Sequence, residues 1–437
     1  MGHLGINPDR AYGLLQERLD RNPTGAPDSP AFRRILRLLF TPEDADLARR
    51  LPTRLTSLSA LAKRLRMEPA RLDDTLTRLA RRGLVFDLEL RGRRYFSLAP
   101  VVIGFFELTF MRGGDDLPRE ELARLFEDYF FEGDGRFARA VFEGDTQIGR
   151  SLPRETALGE APPVEVLDWE RASRIVEGAR TVSVSLCACR HHADHLGRAC
   201  ERPQRACLSF DVSAETLVRS GHAERIDAAE GLRILAECQA AGLAQTADNV
   251  QRGVGYICNC CGCCCGMMRA IRRFDLPHAI VSSNWIAEVD DVRCNGCGLC
   301  VKACPTGALC AGEAPAPGGR RPPVRRDADL CLGCGVCTGA CKRSGIGLSP
   351  RPSRVFTPET TFERVVAMAI ERGKLVDLVL DDPEGLGARA VGLVLKALEA
   401  APPVRAAVAI KPLRSAFLSA FLPAARLLAR DSSDALA

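Results

Sequence analysis

Residues 294–305 read CNGCGLCVKACP, and residues 331–341 read CLGCGVCTGAC. Each stretch places four thiols at one spacing: Cys294, Cys297, Cys300 and Cys304, then Cys331, Cys334, Cys337 and Cys341. Three thiolates, with two residues between each and the next, wrap a tight loop around one face of a metal centre. The fourth thiolate has to approach from elsewhere. Gly296, Gly298, Gly333 and Gly335 suit such crowded loops, where amides turn toward the centre and no side chain can intrude. A pair of zinc ribbons is the competing reading, but evenly spaced C-x-x-C-x-x-C triplets rarely serve zinc.

With Pro305 after the fourth cysteine, the pattern C-x-x-C-x-x-C-x-x-x-C-P resembles the bacterial-type ferredoxin module that holds two [4Fe–4S] clusters. The resemblance implies crossed ligation, the fourth thiolate of each cluster coming from the other motif. One cluster would then take Cys294, Cys297, Cys300 and Cys341. The other would take Cys331, Cys334, Cys337 and Cys304. The module spans 288–350, and its halves are separated by EAPAPGGRRPPVRR, an insertion without core-forming residues that reads as a surface loop. Residues 351–437 read as a linker followed by amphipathic, Ala-rich helix.

Upstream lie ten more grouped cysteines. Cys187, Cys189, Cys200 and Cys207 fall in CACRHHADHLGRACERPQRAC, and Cys258, Cys260, Cys261, Cys263, Cys264 and Cys265 in CNCCGCCC. Cys238 and Cys310 stand apart and read as small buried hydrophobes. Strand-like stretches precede both blocks, Thr181 to Cys187 alternating as a strand. The blocks are therefore expected to meet at the C-terminal ends of neighbouring strands, where α/β folds place their sites. Soft thiolates in bulk select iron–sulfur clusters or zinc. One or two further Fe–S clusters is the favoured reading. A zinc site from Cys187, Cys189, Cys200 and Cys207, with or without a histidine, and a redox-active dithiol stay open. The CCG triplet resembles the cysteine-rich domains of heterodisulfide reductase catalytic subunits, which bind unusual clusters, but the full spacing of that family is absent. His191, His192 and His195 read either as a solvated polar loop or as a ligand or proton relay. Arg190, Arg198, Arg202 and Arg205 enrich the same region in positive charge, which suits a thiolate-ligated cluster or an anionic substrate.

The N-terminal part follows a different pattern. After residues 1–30, a segment ending in a Pro/Gly/Ser-rich joint, helical periodicity begins at Phe32. Thr41, with Pro42 next and Asp44 three on, reads as an N-cap. Helices follow over Ser57–Leu65 and Pro69–Arg82, then two short strands around the basic turn RGRR. This order resembles a winged helix-turn-helix over 31–100. A Phe-rich connector (101–163) reads as a helical layer. Residues 164–287 read as a cysteine-rich α/β domain, with a strand at Val164–Leu167, a helix capped by Asp168, and an Asp227/Glu230 capping box. The fold class is thus α+β multidomain. The whole chain resembles the long 4Fe–4S-binding proteins of anaerobic bacteria that carry an N-terminal winged-helix-like segment.

Twenty cysteines at metal-ligand spacings in 437 residues point to thiolate ligands in a reducing cytoplasm rather than to disulfides. No apolar stretch reaches the roughly 18 residues of a membrane helix. There is no phosphate-binding G-x-x-x-x-G-K-[ST], no strand–G-x-G-x-x-G–helix and no C-x-x-x-C-x-x-C triad, so nucleotide and radical-SAM chemistry have no support. Residues 31–99 hold sixteen Lys and Arg against eight Asp and Glu. Against a net charge of +5, that surplus of eight leaves the remainder three negative. Arginine supplies 54 of 60 cations throughout, which weakens the charge argument for DNA. Two function classes follow. The first is an electron-transfer protein or redox-enzyme component that works with a protein redox partner, its substrate unknown. The second is an Fe–S redox-sensing transcription regulator that reads DNA through Arg78, Arg81, Arg82, Arg91, Arg93 and Arg94. Asp73 and Asp74 on the same helix count against the second.

Overall fold

The computed structural model describes residues 7–114, 116–131, 133–158, 167–313 and 321–379. The chain divides into two compact units. One is formed by Met1–Thr146, Arg219–His222 and Phe362–Ala437, the other by Gln147–Val218 and Ala223–Thr361.

The first unit opens with α1 (Pro8–Asp20), a helix within the N-terminal segment of residues 1–30. Its start is written locally: the Asn7 side chain accepts from the Arg10 N–H, and Pro8 takes the first helical position. Helices α2 (Pro30–Leu39) and α3 (Pro42–Ala48) follow, α3 capped by Thr41 as expected. Strand β1 (Thr56–Ser57) leads into α4 (Leu58–Leu65), capped by Ser57, and then α5 (Pro69–Arg81). Strands β2 (Val85–Leu90) and β3 (Arg93–Leu98) form a hairpin, and β1 adds antiparallel to β3, giving the order β1-β3-β2. Leu72, Leu76 and Leu79 of α5 are fully buried, the stripe that their spacing demands.

Helices α6 (Phe106–Phe110), α7 (Arg119–Phe131) and α8 (Arg136–Phe142) make the Phe-rich stretch helical. Its rings pack on one another and on α2: Phe32–Tyr129 at 4.6 Å and Phe130–Phe137 at 4.5 Å are stacked, and Phe106–Phe130 at 4.8 Å is edge-to-face.

The second unit holds one six-stranded sheet and the ferredoxin-like segment. In chain order it contains β4 (Gly149–Ser151), α9 (Ala172–Gly178), β5 (Val182–Leu186), α10 (Ala188–His195), β6 (Arg205–Phe210), α11 (Asp211–Arg219, its last residue in the first unit), β7 (Glu224–Ile226), α12 (Ala228–Ala240), β8 (Ala244–Asp248), β9 (Tyr256–Cys260) and α13 (Gly266–Phe274). The sheet order is β4-β8-β9-β6-β5-β7, and every ladder between its strands is antiparallel. The reading of residues 164–287 as an α/β domain is therefore corrected, since its strands pair antiparallel. β5 with β6 and β8 with β9 are sequential antiparallel neighbours, whereas β6, β7 and β8 run the same way, are not adjacent, and are joined through α11 and α12 as crossovers. The expected strand at Val164–Leu167 lies outside the described residues, apart from Leu167. Asp168 opens a short 3₁₀ turn (Asp168–Glu170), and Arg171, not Asp168, precedes α9. The Asp227 cap of α12 is present, accepting from the Glu230 N–H at 2.8 Å.

Strand alternation divides this sheet. Val182, Val184, Leu208, Phe210, Ile257 and Ala247 point to one face and form an apolar core with Val176 of α9 and Ile234 and Leu235 of α12. Ser183, Ser185, Cys207, Ser209, Thr246, Cys258 and Cys260 occupy the other face.

Strand β10 (Trp285–Val289) opens the ferredoxin-like segment, with α14 (Leu299–Ala303), β11 (Leu309–Cys310), β12 (Arg325–Arg326), α15 (Val336–Ala340) and β13 (Ile346–Pro350) following. β10 pairs antiparallel with β13 and β11 with β12, so each cysteine motif carries one short helix and one strand pair joins the two ends. The loop reading of the insertion is corrected at its C-terminal end. Val324 is buried in the module's core and Arg325–Arg326 form β12; residues 314–320 lie outside the described residues. Finally α16 (Thr361–Glu371) and α17 (Leu375–Val379) pack in the first unit, where the Glu371 carboxylate accepts from the Thr146 N–H at 2.8 Å. The expected helical region beyond residue 379 lies outside the described residues. No described helix is long and apolar enough to cross a membrane.

Candidate metal centres

The ferredoxin-like segment surrounds two cavities. One, of about 160 Å³, is lined by Cys294, Cys297, Cys300 and Cys341 together with Val289, Val324 and Ile346. The other, of about 20 Å³, is lined by Cys304, Cys331, Cys334 and Cys337 with Ala287, Leu309 and Leu348. Each cavity thus gathers three thiols from one motif and one from the other. Backbone amides point at the sulfurs: Ala287 N–H to Cys331 at 3.5 Å, Val324 N–H to Cys294 at 3.5 Å, and Gly345 N–H to Cys341 at 3.3 Å. Amide donors aimed at sulfur in an apolar shell are what an anionic thiolate-bound cluster needs. Burial pushes the Cys334 thiol up to about 12. Occupation of this quartet by metal therefore has to expel its proton.

The upstream cysteines converge on one end of the six-stranded sheet. β5 and β9 both run antiparallel to β6, which lies between them, so their C-terminal ends meet at the edge where β6 begins. The expected meeting of the two blocks is present, although in an antiparallel sheet. It yields two groups of thiols. In the first, thiol-to-thiol hydrogen bonds run from Cys187 to Cys207, Cys258, Cys260, Cys265 and Cys189 in turn. Cys207 and Cys258 project from adjacent strands on the face opposite the apolar core. Cys187 and Cys265 stand at the N-termini of α10 and α13; the hydrogen bond with Cys207 and burial push the Cys187 thiol up, and, against the lowering bond with Cys189, the bond with Cys260 and burial push Cys265 up. Hydrogen bonds from Cys187 and Cys258 hold Cys207 below the ordinary thiol range. Those from Cys258 and Cys265 bring Cys260 down to about 6, with help from Thr246 Oγ1 at 3.2 Å. The surrounding hydroxyls of Ser151, Ser183, Ser185 and Ser209 are buried.

The second group is Cys200, Cys261, Cys263 and Cys264, whose four Sγ atoms all lie within 4.8 Å of one another. Cys200 comes from the segment after α10, the other three from the turn after β9. Cys261 and Cys264 are buried, and Cys263 is exposed. The zinc grouping Cys187/Cys189/Cys200/Cys207 is therefore corrected. Cys200 is drawn away from its sequence neighbours because the chain turns out of the sheet before it and returns only at β6.

Arg190 is fully buried beside both groups. Its Nε donates to the Pro203 carbonyl and its Nη1 to the Asn259 carbonyl, each at 2.9 Å. Burial alone would depress the guanidinium, but Cys187, Cys207 and Cys261 outweigh it and hold the group above its ordinary value. His191, His192 and His195 lie on α10, not in a loop; His192 is buried, and the rings of His191 and His195 sit 4.8 Å apart. Cys238 is buried as expected. Cys310 is exposed, its thiol 3.8 Å from the Arg325 carbonyl, because β11 is a two-residue edge strand with one side open.

Residues 293–345 match the family model described as a 4Fe-4S dicluster domain. Comparison with curated proteins and with solved structures gives no match. The chain therefore carries an iron–sulfur, ferredoxin-like module within a larger α+β protein, and the match covers that segment alone.

Proposed function

We propose that the protein is an electron-transfer protein or redox-enzyme component of a reducing cytoplasm, working with a protein redox partner. Its module takes two [4Fe–4S] clusters with crossed ligands, Cys294, Cys297, Cys300 and Cys341 for one and Cys331, Cys334, Cys337 and Cys304 for the other. The observation that carries this reading is the pair of cavities, each lined by one crossed quartet. When bound, such clusters exchange single electrons. The chain's own residues supply the amide donors, the apolar shell and the compensating charge that set how readily they do so. Cys187, Cys189, Cys207, Cys258, Cys260 and Cys265 then form a further iron–sulfur site, with Arg190 offsetting its negative charge. Iron and acid-labile sulfide per chain, measured on anaerobically purified protein together with EPR, test this. Eight of each locate all clusters in the module, twelve or more add the sheet-face site, and fewer than eight removes the dicluster reading.

We assign residues 31–100 to a winged helix that docks a protein rather than DNA. The helix order and the β1-β3-β2 sheet support the first part. Three of the six candidate cations support the second, because they are already paired, while Arg81 and Arg93 are exposed. Arg78 donates to the buried Asp44 at 2.9 Å, Arg82 lies 3.9 Å from the same carboxylate, and Arg94 bonds Asp73 and Asp87.

A further inference from the structure

The two upstream thiol groups differ in geometry as well as position. In the group Cys200, Cys261, Cys263 and Cys264, the Sγ separations are 3.8 Å for Cys200–Cys261, 3.9 Å for Cys264–Cys200 and 3.7 Å for Cys264–Cys263. Four thiolates set tetrahedrally around one ion at about 2.3 Å have sulfur-to-sulfur edges of about 3.8 Å. A four-iron cluster places each thiolate on its own iron, at separate corners of a cube filled with sulfide. Its thiolates are therefore spread far more widely. Among the described residues, this quartet is the tight group, whereas the module's quartets open around cavities.

We propose that Cys200, Cys261, Cys263 and Cys264 hold a single thiophilic divalent ion, zinc or ferrous iron, as a mononuclear tetrathiolate separate from every iron–sulfur cluster. Binding displaces four thiol protons to solvent and leaves the site with two net negative charges. Two guanidiniums offset those charges: the buried Arg190, which feels Cys261 electrostatically, and Arg202, whose Nη1 is 4.0 Å from Cys263. All four positions around the ion are protein sulfurs, so the site is closed and offers no place for a substrate. Its work is mechanical or electronic. It ties two segments some sixty residues apart in sequence. It also fixes the 261–264 turn, whose Gly262 packs on the backbone of Pro305 so closely that a Cβ there would lie 2.6 Å from the Pro305 oxygen. Pro305 directly follows Cys304 of the module, so the ion would brace the wall of the ferredoxin-like segment.

The test uses the intact, anaerobically purified chain. Cubane clusters contain iron and inorganic sulfide in equal number, so a mononuclear ion appears as one metal in excess of sulfide. The expected result is iron plus zinc exceeding sulfide by one per chain; equality overturns the proposal. The double variant Cys261→Ser/Cys264→Ser should lose that one equivalent, with sulfide and the module's EPR signals unchanged. Loss of four iron with four sulfide, or no change in metal, overturns it as well. Whether the lost metal is zinc, or iron that gives a high-spin ferric signal on oxidation, identifies the ion. Because the excess is counted above whatever clusters are present, a failed dicluster reading and a failed tetrathiolate reading give different numbers. The wild-type count also stands if the double variant does not fold.

Discussion

Replacing Gly333 by alanine separates backbone strain from steric exclusion in the cysteine loops. Gly333 has φ +65°, a conformation that costs an L-residue about 1–2 kcal/mol. Gly298, in the other motif, has φ +76° and the same intrinsic cost, with open space where a Cβ would sit. At Gly333 the Cβ would overlap the Trp285 carbonyl oxygen and Ser283 Oγ, and would lie 2.7 Å from the Trp285 carbonyl carbon. Carbon–carbon contacts settle near 3.5–4.0 Å, so the loop has to retreat by about 1 Å. That retreat breaks the bonds that hold it, Ser283 Oγ to the Gly333 carbonyl and Ser283 N–H to the Leu332 carbonyl, both at 3.0 Å. Two hydrogen bonds at about 1 kcal/mol each and an overpacking cost of about 1–3 kcal/mol raise the total to about 4–7 kcal/mol. Gly298→Ala stays at about 1–2 kcal/mol. The difference of about 3–5 kcal/mol corresponds to a hundredfold or greater shift in occupancy of the site lined by Cys331, Cys334 and Cys337. Anaerobic iron counting and EPR should find Gly298→Ala nearly complete and Gly333→Ala short of four iron. Equal behaviour of the two variants refutes the steric argument.

The crossed-ligand reading predicts that Cys304→Ala damages the cluster of Cys331, Cys334 and Cys337 and spares that of Cys294, Cys297 and Cys300. Loss of the nearer set, read by EPR, would reverse the assignment. Burial pushes the His222 imidazole down to about 4, with Arg112 adding to the effect. The unfolded chain protonates below about 6.5 while the folded chain does not, so stability falls as pH drops through 6.5 toward 4 and is unaffected above. Between about pH 7.5 and 5.5 the loss is about 1.4 kcal/mol; the thermal midpoint of His222→Leu should change less over that range than that of wild type, and equal changes would count against it. Since Arg78 and Arg94 are internally paired, duplex DNA binding should be weak, with a salt slope far below the roughly 0.9 per phosphate contact of a true reader. A steep slope on one promoter would favour the regulator.

Much of the local structure was legible because its causes are local. Thr41, Ser57 and Asp227 cap helices exactly where short polar side chains precede apolar periodicity, and TVSVSLC alternates because one face of β5 is core. The Asn7–Pro8 start of α1 is written in the same local terms, ahead of the Pro/Gly joint. What the sequence could not convey was non-local pairing. Strand direction depends on which strands hydrogen-bond, and nothing within either cysteine block says that β5 and β9 flank β6. The division of ten thiols into six and four depends on that arrangement. One clue was present, since Cys258 and Cys260 are two apart and must share a face of any strand.

The block CNCCGCCC thus serves two destinations. Cys258, Cys260 and Cys265 go to the sheet face, and Cys261, Cys263 and Cys264 to the quartet. In a strand, a slip of one residue sends every side chain to the opposite face. Insertion or deletion of a single residue within β9 would exchange thiols with Ile257 and Asn259, driving sulfur into the apolar core and isoleucine onto the thiol-bearing face. The length of this segment is therefore fixed to the residue.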